Sequence, residues 1–307
     1  MSLTLFMRNS LEFIQNEVVR QDFPERMMAN GSLVPIVAEL PVWIDSYVYR
    51  LLTSVGSAKI TASGADDLPE VGVFAEERTG YVRNIRNKFS YTYEDAQKAQ
   101  YAGVQLTPEL AIAAREAAEM ELDNIAWQGS SENKLMGFLD HANVPTYAVA
   151  NDGTGSSTLW STKTAAQIYR DLTAAAQKIA IDSKYTHFCE VLLMDTANYA
   201  LISQTPYPAS TATETILTFF LKTQQNNPFG VKRIMPVPYL NGIGTNGSSV
   251  MIGYMPRPQK LKFHLPLGFT MNVPKDFKDE LWETTTRMRT GGLQILKFLS
   301  MLYVDGI

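Results

Sequence analysis

YVRNIRNKFSYTY, residues 81–93, alternates with a period of two. Tyr81, Ile85, Phe89, Tyr91 and Tyr93 fall on one face, and Val82, Asn84, Arg86, Lys88, Ser90 and Thr92 fall on the other. Successive side chains of a strand point to opposite faces, so this is strand patterning. A partner strand is expected from Tyr47 to Thr61, joined through a polar tip that holds Ser63, Gly64, Asp66, Asp67, Pro69 and Gly72. Arms of ~12–15 residues at ~3.3 Å each would make a hairpin ~40–50 Å long. A two-stranded ribbon is marginal by itself in water, so it needs another surface, and a neighbouring subunit is the natural supplier.

Upstream, residues 1–40 mix short apolar runs with the turn signals Asp22-Phe23-Pro24, Asn30-Gly31-Ser32 and Pro35. They read as an extended arm lying on something else rather than as an independent core.

Downstream lies the clearest helix, residues 107–128. Thr107 suits the N-cap, Pro108 the first turn and Glu109 the positive end of the dipole. A run of alanines follows, and Gly129 is the expected stop. Leu110, Ala114, Ala117, Ala118, Leu122 and Ile125 make one apolar stripe, interrupted by Glu121. Glu109, Glu116, Glu119 and Asp123 lie on the opposite side, where Ile112, Met120 and Trp127 also sit. Carboxylates mixed with large apolar groups suggest a face covered in an assembly. A solvated face with scattered apolar residues is the plainer reading.

Beyond a Gly/Ser-rich break at 151–157, helices are expected over 162–181, from Asp195, and over 214–224. Strands are expected near 191–194, 232–235, 250–254, 260–265, 269–273, 281–289 and 293–304. The last of these is apolar on both faces, as central strands are.

The chain has 307 residues and a net charge of −4. Dedicated nucleic-acid binders gather Lys and Arg against phosphates, and this balance argues against one. Cys189 is the only cysteine, which excludes an intrachain disulfide. No run of about 18 apolar residues appears, so no membrane contact is expected. The N-terminal residues do not read as a signal peptide.

Gly242-Ile-Gly244-Thr-Asn-Gly247 spells G-x-G-x-x-G. A dinucleotide site needs a helix after the third glycine and an acid about 20 residues on. Residues 248–252 read instead as a strand, and Asn246-Gly247 as a hairpin turn. His141, His187 and His264 are far apart and form no metal-binding spacing. The pairs Asp66-Asp67 and Glu76-Glu77 read as solvated loop charge. The candidate catalytic, cofactor and metal residues are therefore none. Arg78, Arg83, Arg86 and Lys88 gather positive charge on the expected returning arm. That charge either faces solvent or steers docking onto Glu109, Glu116, Glu119 and Asp123 of another copy, beside Ile112, Met120 and Trp127.

The order of elements and three local strings carry a resemblance. The strings are Thr107-Pro-Glu-Leu110, Gly137-Phe-Leu-Asp-His-Ala-Asn-Val-Pro145, and Arg289-Thr-Gly-Gly-Leu-Gln-Ile295 with the ending Tyr303-Val-Asp-Gly-Ile307. The chain resembles the major capsid proteins of tailed bacteriophages, with the α+β Hong Kong 97-type shell fold, and within them the encapsulin-like capsid branch. The resemblance implies an N-arm at 1–40 and an extended E-loop hairpin with its base at 41–95. It implies a peripheral domain at 96–150 and 256–307 around the spine helix, and an axial domain at 151–255. It further implies a non-enzymatic subunit that builds pentamers and hexamers of an icosahedral virion shell, assembled in the host bacterial cytoplasm. Packaged double-stranded DNA would be touched only weakly and without sequence preference. Scaffold, portal and decoration proteins are possible further partners, and a cleavable N-terminal scaffolding segment would be separate or already removed. Relatives that crosslink subunits use a Lys, but nothing assigns that role to Lys59. The alternatives are an encapsulin-type compartment, which shares the fold, and a soluble α/β enzyme using the histidines.

Overall fold

The computed structural model describes residues 26–28, 30–60, 68–101, 106–139, 141–207, 214–227, 229–278 and 281–307. Residues 1–25 of the expected arm, and most of the expected hairpin tip, lie outside them. The end of that arm belongs to the protein's own core, contrary to its reading as a strap lying on something else. Met28, Leu33 and Val34 are fully buried. A short β1 (Ile36–Val37) then pairs in parallel with the strand that carries Phe263 and His264.

The hairpin is formed by β2 (Ser46–Val55) and β3 (Gly72–Tyr81), in register from Ser46 opposite Tyr81 to Val55 opposite Gly72. Ten residues per arm make it ~33 Å long at ~3.3 Å each. It is followed by β4 (Arg83–Ile85), β5 (Lys88–Thr92), α1 (Tyr93–Tyr101) and the long α2 (Leu106–Gln128). After β6 (Thr146–Ala148) come α3 (Ala165–Asp182), β7 (Val191–Met194), α4 (Thr196–Gln204), α5 (Ile216–Gln225), β8 (Arg233–Pro236) and β9 (Val250–Tyr254). The chain closes with β10 (Leu261–His264), β11 (Leu267–Met271), β12 (Lys275–Lys278), β13 (Leu281–Thr290), β14 (Gly292–Ile295) and β15 (Met301–Asp305).

Only Tyr81 of residues 81–93 belongs to the returning arm. β4 and β5 pair antiparallel with β13, with Ile85 opposite Met288 and Phe89 opposite Thr284. Val82 marks the change of partner: its side chain is buried and its N–H donates to the Asp45 carbonyl at 2.9 Å. The alternation placed Phe89, which is buried, and Ile85, half-buried, on the inward face, but it put buried Val82 on the opposite face and exposed Tyr93 with them. It cannot say which strand lies alongside.

One of the two five-stranded sheets among the described residues runs β6-β15-β9-β7-β8. It is apolar on both sides because both sides are covered. Val191 and Leu193 of β7 face a core that contains Leu122 and Trp127 of α2, with Phe138 and Tyr254. Leu192 and Met194 face a second core, with Trp160, Leu172 of α3 and Phe220 of α5. The strand expected over 293–304 is two strands, because the chain changes sheets. β14 pairs with β10, a tight turn at Phe298–Ser300 intervenes, and β15 then enters between β6 and β9.

Helix ends follow local chemistry. Thr164 and Gln167 form a reciprocal capping box, so α3 starts three residues later than the apolar pattern suggests. The Asp195 carboxylate accepts from the N–H groups of Ala197 and Asn198 at the start of α4, and the Thr215 hydroxyl from that of Thr218 in α5. α2 starts one residue ahead of the expected cap and ends at Gly129, which has φ +73°. A side chain there would strike the Gly137 nitrogen and Leu135 carbonyl at 2.7 Å, so only glycine fits.

One internal ion-pair network joins the body's parts. The Lys163 ammonium, with no side-chain exposure, donates to Asp171 at 2.6 Å and to the Ala150 carbonyl at 2.7 Å. Arg170 bridges Asp171 and Asp152 from outside, so this network ties residues 150–152 to α3.

Candidate assembly surfaces

The root of the hairpin is fastened to the body. Tyr47 lies across Gly80, where a Cβ would sit 2.3 Å from the ring, and its ring centroid is 5.1 Å from that of buried His264. The Nε2 atom of His264 is 2.8 Å from the Gln294 side-chain oxygen, and burial holds its imidazole below the usual histidine range. Arg289, itself buried, donates to the Ile44 carbonyl and the Asp45 carboxylate, both at 2.8 Å. Arg78 bonds Glu76 at 2.8 Å and stands 4.9 Å over the Phe298 ring. Between root and body runs a cleft of about 720 Å³, bordered by Tyr49, Arg78, Lys134 and His141 among others.

Beyond Leu51 the ribbon leaves the body. Leu52 and Phe74 are each 66% exposed, and Val48, Val55 and Val73 are more than half exposed. Large apolar side chains on an otherwise unsupported ribbon are an incomplete interface.

The sequence-predicted contact residues divide. Arg78 is on the hairpin, paired to Glu76. Arg83, Arg86 and Lys88 are not on its arm; Arg83 stands on β4, Arg86 between β4 and β5, and Lys88 on β5, along β13, for the reason given at Val82. Arg83 stacks 5.1 Å over Tyr81, Lys88 pairs with Glu283 at 3.1 Å, and Arg86 is exposed. On α2, the side expected to meet another copy is covered at its C-terminal end by this chain. Asp123, 2% exposed, accepts the Met28 N–H at 3.0 Å, and Trp127 is fully buried against Phe138 and Tyr239. Glu119 pairs with Arg26 at 2.9 Å and Arg115 at 2.7 Å. Periodicity put these residues on one side of the helix but could not show that residues 26–34 cross it. Glu109, Glu116 and Ile112 remain partly exposed, and Met120 is 46% exposed. In the apolar stripe, Ala114, Ala118, Leu122 and Ile125 are buried, whereas Ala117 is exposed.

The tempting motif dissolves in the structure. Asn246 and Gly247 have φ of 56° and 77°, as their turn signal requires, but a strand follows and no helix. Nor is the turn a hairpin, because β7 lies between β8 and β9. Instead the Asp305 carboxylate clamps it, accepting from the Thr245 N–H at 3.0 Å and from the Thr245 and Ser248 hydroxyls. Burial alone would raise the Asp305 carboxyl, but these bonds hold it low. His187 meets Lys260, His141 meets the Phe298 ring and His264 meets Gln294, so each histidine has a separate packing environment. Among the described residues no group of three or more His, Cys, Asp or Glu is placed to hold a metal ion.

A body with two cores on one shared sheet, a long α2 and a projecting ribbon define a subunit of a protein shell. The family model for the major capsid protein matches residues 56–307, and the chain belongs to that family. Solved structures have the same fold. The capsid of Myoviridae phage XM1 aligns over 97% of this chain and 98% of its own, with a TM-score of 0.80 at 13% identity. A Mycobacterium phage Bobi structure covers 99% and 98%, with a TM-score of 0.64 at 10% identity. A virus-like particle from Pyrococcus furiosus covers 89% and 91%, with a TM-score of 0.53 at 10% identity. Among curated proteins no sequence matches. The fold is the Hong Kong 97-type shell fold, and the chain is a structural capsid shell protein.

Proposed function

We propose that identical copies assemble as pentamers and hexamers into an icosahedral virion shell enclosing phage double-stranded DNA, without catalysing a reaction. One observation carries this reading: the far half of the hairpin bears large apolar side chains that its own subunit leaves exposed. Burying them on neighbouring copies would couple folding to assembly, and repetition about local symmetry axes closes a shell. The family match favours a capsid protein over a cellular compartment, and the shared fold favours a shell protein over an enzyme. Within the subunit, residues 96–150 and 256–307 would form the peripheral part around α2, and 151–255 the axial part around the symmetry centres. The net charge of −4 supports weak, non-specific contact with packaged DNA. Arg86, still exposed, would steer the approach to Glu109 and Glu116 of a neighbour. Assembly would take place in the host cytoplasm, with scaffold, portal or decoration proteins as helpers.

The test is electron microscopy and nuclease protection of particles purified from producing cells. Icosahedral particles built mainly of this chain, holding nuclease-resistant DNA, are expected. Particles filled with a protein cargo would instead mean a compartment shell. A small stable oligomer would end the capsid reading.

A further inference from the structure

We propose that the outward face of the sheet built on β13 carries a stripe of cations that takes the phosphodiester backbone of DNA. The inference rests on the shell reading above, which supplies the polyanion, and it adds the surface that meets it.

Strand register assigns the face. β4 and β5 run against β13 at one offset, with Ile85 opposite Met288 and Lys88 opposite Thr285, so Arg86 stands directly across from Arg287. Opposed residues of an antiparallel pair point the same way, with Cβ atoms ~4.5–5.5 Å apart. Thr284, Thr286 and Met288 turn into the body and are buried, and Glu283, Thr285 and Arg287 alternate with them and turn out. Lys275 of β12 lies opposite Glu283 and is exposed, so it joins the outward row. A groove of about 310 Å³ runs past Arg86, Lys88, Asn272, Thr285 and Arg287.

Two arginines placed across from one another repel, and like charges so placed destabilise a sheet. Nothing in the described subunit relieves them. Among the described residues neither Arg86 nor Arg287 has a carboxylate partner, and Arg287 stands 5.6 Å over the ring of Trp43, itself 70% exposed. Glu283 is engaged with Lys88 at 3.1 Å, and Asp45 with Arg289 at 2.8 Å. Arg86, Lys88, Lys275 and Arg287 thus outweigh Glu283 on one face of a chain whose net charge is −4. A basic stripe confined to one face is the footprint of a phosphate binder even where the whole chain is acidic.

The lining is also one of donors. Thr285 Oγ1 accepts from the Asn272 side-chain amide at 2.8 Å, which leaves its own hydroxyl proton for an acceptor outside. Guanidinium, ammonium and hydroxyl donors together suit phosphate oxygens, which only accept. A single carboxylate would cancel one arginine. Here the cations recur along the strand, Arg86 and then Lys88 ~6.6–7 Å on, and that row fits a polymer of evenly spaced charges. Such contacts position the polymer and read no sequence. Steering by Arg86 is compatible with this role, because long-range charge guides an encounter without a lasting contact.

Fluorescence anisotropy of a labelled duplex of about 20 base pairs, titrated with the full-length unassembled subunit at several salt concentrations, tests the stripe. Arg86→Gln with Arg287→Gln is compared with Lys184→Gln plus Lys222→Gln, which removes two charges from exposed positions just after α3 and on α5. Each phosphate contact accounts for about 0.9 in the slope of log affinity against log salt, so the stripe variant should lose about 1.8 and bind roughly tenfold or more weakly at low salt. The control pair should keep the natural slope. The denaturant midpoint of the stripe variant should hold or rise, because a repulsive pair is gone. Where the double change unsettles the fold, Arg86→Gln alone should lose about 0.9 of slope. Equal losses in stripe and control variants, no loss in the stripe variant, or no binding by the natural chain at low salt would overturn the proposal. So would a stripe variant that binds DNA normally but assembles slowly, since the face would then serve carboxylates of another copy. None of these results touches the shell reading, which falls only if the natural chain builds no particles.

Discussion

Replacing Phe74 by Ser separates assembly from folding. Burying a Phe side chain completely is worth ~1.5–3 kcal/mol. Phe74 is 66% exposed in the single subunit, so about two thirds of that, ~1–2 kcal/mol per subunit, remains to be gained on assembly. With about 1.4 kcal/mol per factor of ten, the free subunit coexisting with particles should rise roughly 5–30-fold. The assay is sedimentation of an assembly mixture at increasing total protein, measuring the concentration at which the slow fraction stops growing. The denaturant midpoint of the unassembled subunit should stay where it was, because little of the ring is buried there. An unchanged plateau with an unchanged midpoint would refute the idea that Phe74 is buried between copies.

Four further outcomes follow from the same geometry. Trp127→Ala should lower the unfolding free energy of the unassembled subunit by ~3–5 kcal/mol in denaturant titration, as for large core truncations, whereas exposed Met120→Ala should leave it within ~0.5 kcal/mol. Asp171→Ala leaves the buried Lys163 ammonium only Asp152 at 3.3 Å and the Ala150 carbonyl, and should cost ~3 kcal/mol, while Lys163→Met with Asp171→Leu should restore much of it; a double variant as unstable as the single would contradict the pairing. Burial alone would raise the Glu190 carboxyl, but Arg257 and Lys232 hold it below its ordinary 4.5. A depressed carboxyl contributes stability above its unfolded pKa and loses it as pH falls through the folded one. Acid unfolding below about 4.5 should therefore be shallower in Glu190→Gln. Reversing Arg83 and Arg86 to Glu should slow assembly and alter its salt dependence, measured by light scattering; identical rates at all salt concentrations would sink the steering role.

Much of this fold was legible because its determinants are local. The strands over 191–194 and 250–254 lie where four or five apolar residues run together, and α2 lies where alanines follow Thr107-Pro108. Asp195 and Thr215 announce helix starts because capping joins residues only two or three positions apart. The larger errors concern partners distant in sequence. Residues 83–85 and 88–92 have strand alternation, yet pair with β13, about 200 residues away. Asp123 and Trp127 looked like surface because nothing local says that Met28 will cross them. The break between β14 and β15 was hidden because Leu296, Phe298 and Leu299 continue the apolar run across a change of sheet. For the assembly surface, composition of the ribbon was informative, but assigning residues to its two faces needed the register.

The position of β15 also has a consequence for synthesis. The hairpin leaves the ribosome early, whereas the strand that joins β6 to β9 is the last made of its sheet. About 220 residues separate Tyr81 from Met301. At roughly 5–20 residues per second, the oily ribbon is present for roughly 10–45 s before the body that should carry it can close. During that interval it resembles a sticky nascent segment more than a building block, and shielding by a cellular chaperone would limit premature clumping on crowded polysomes.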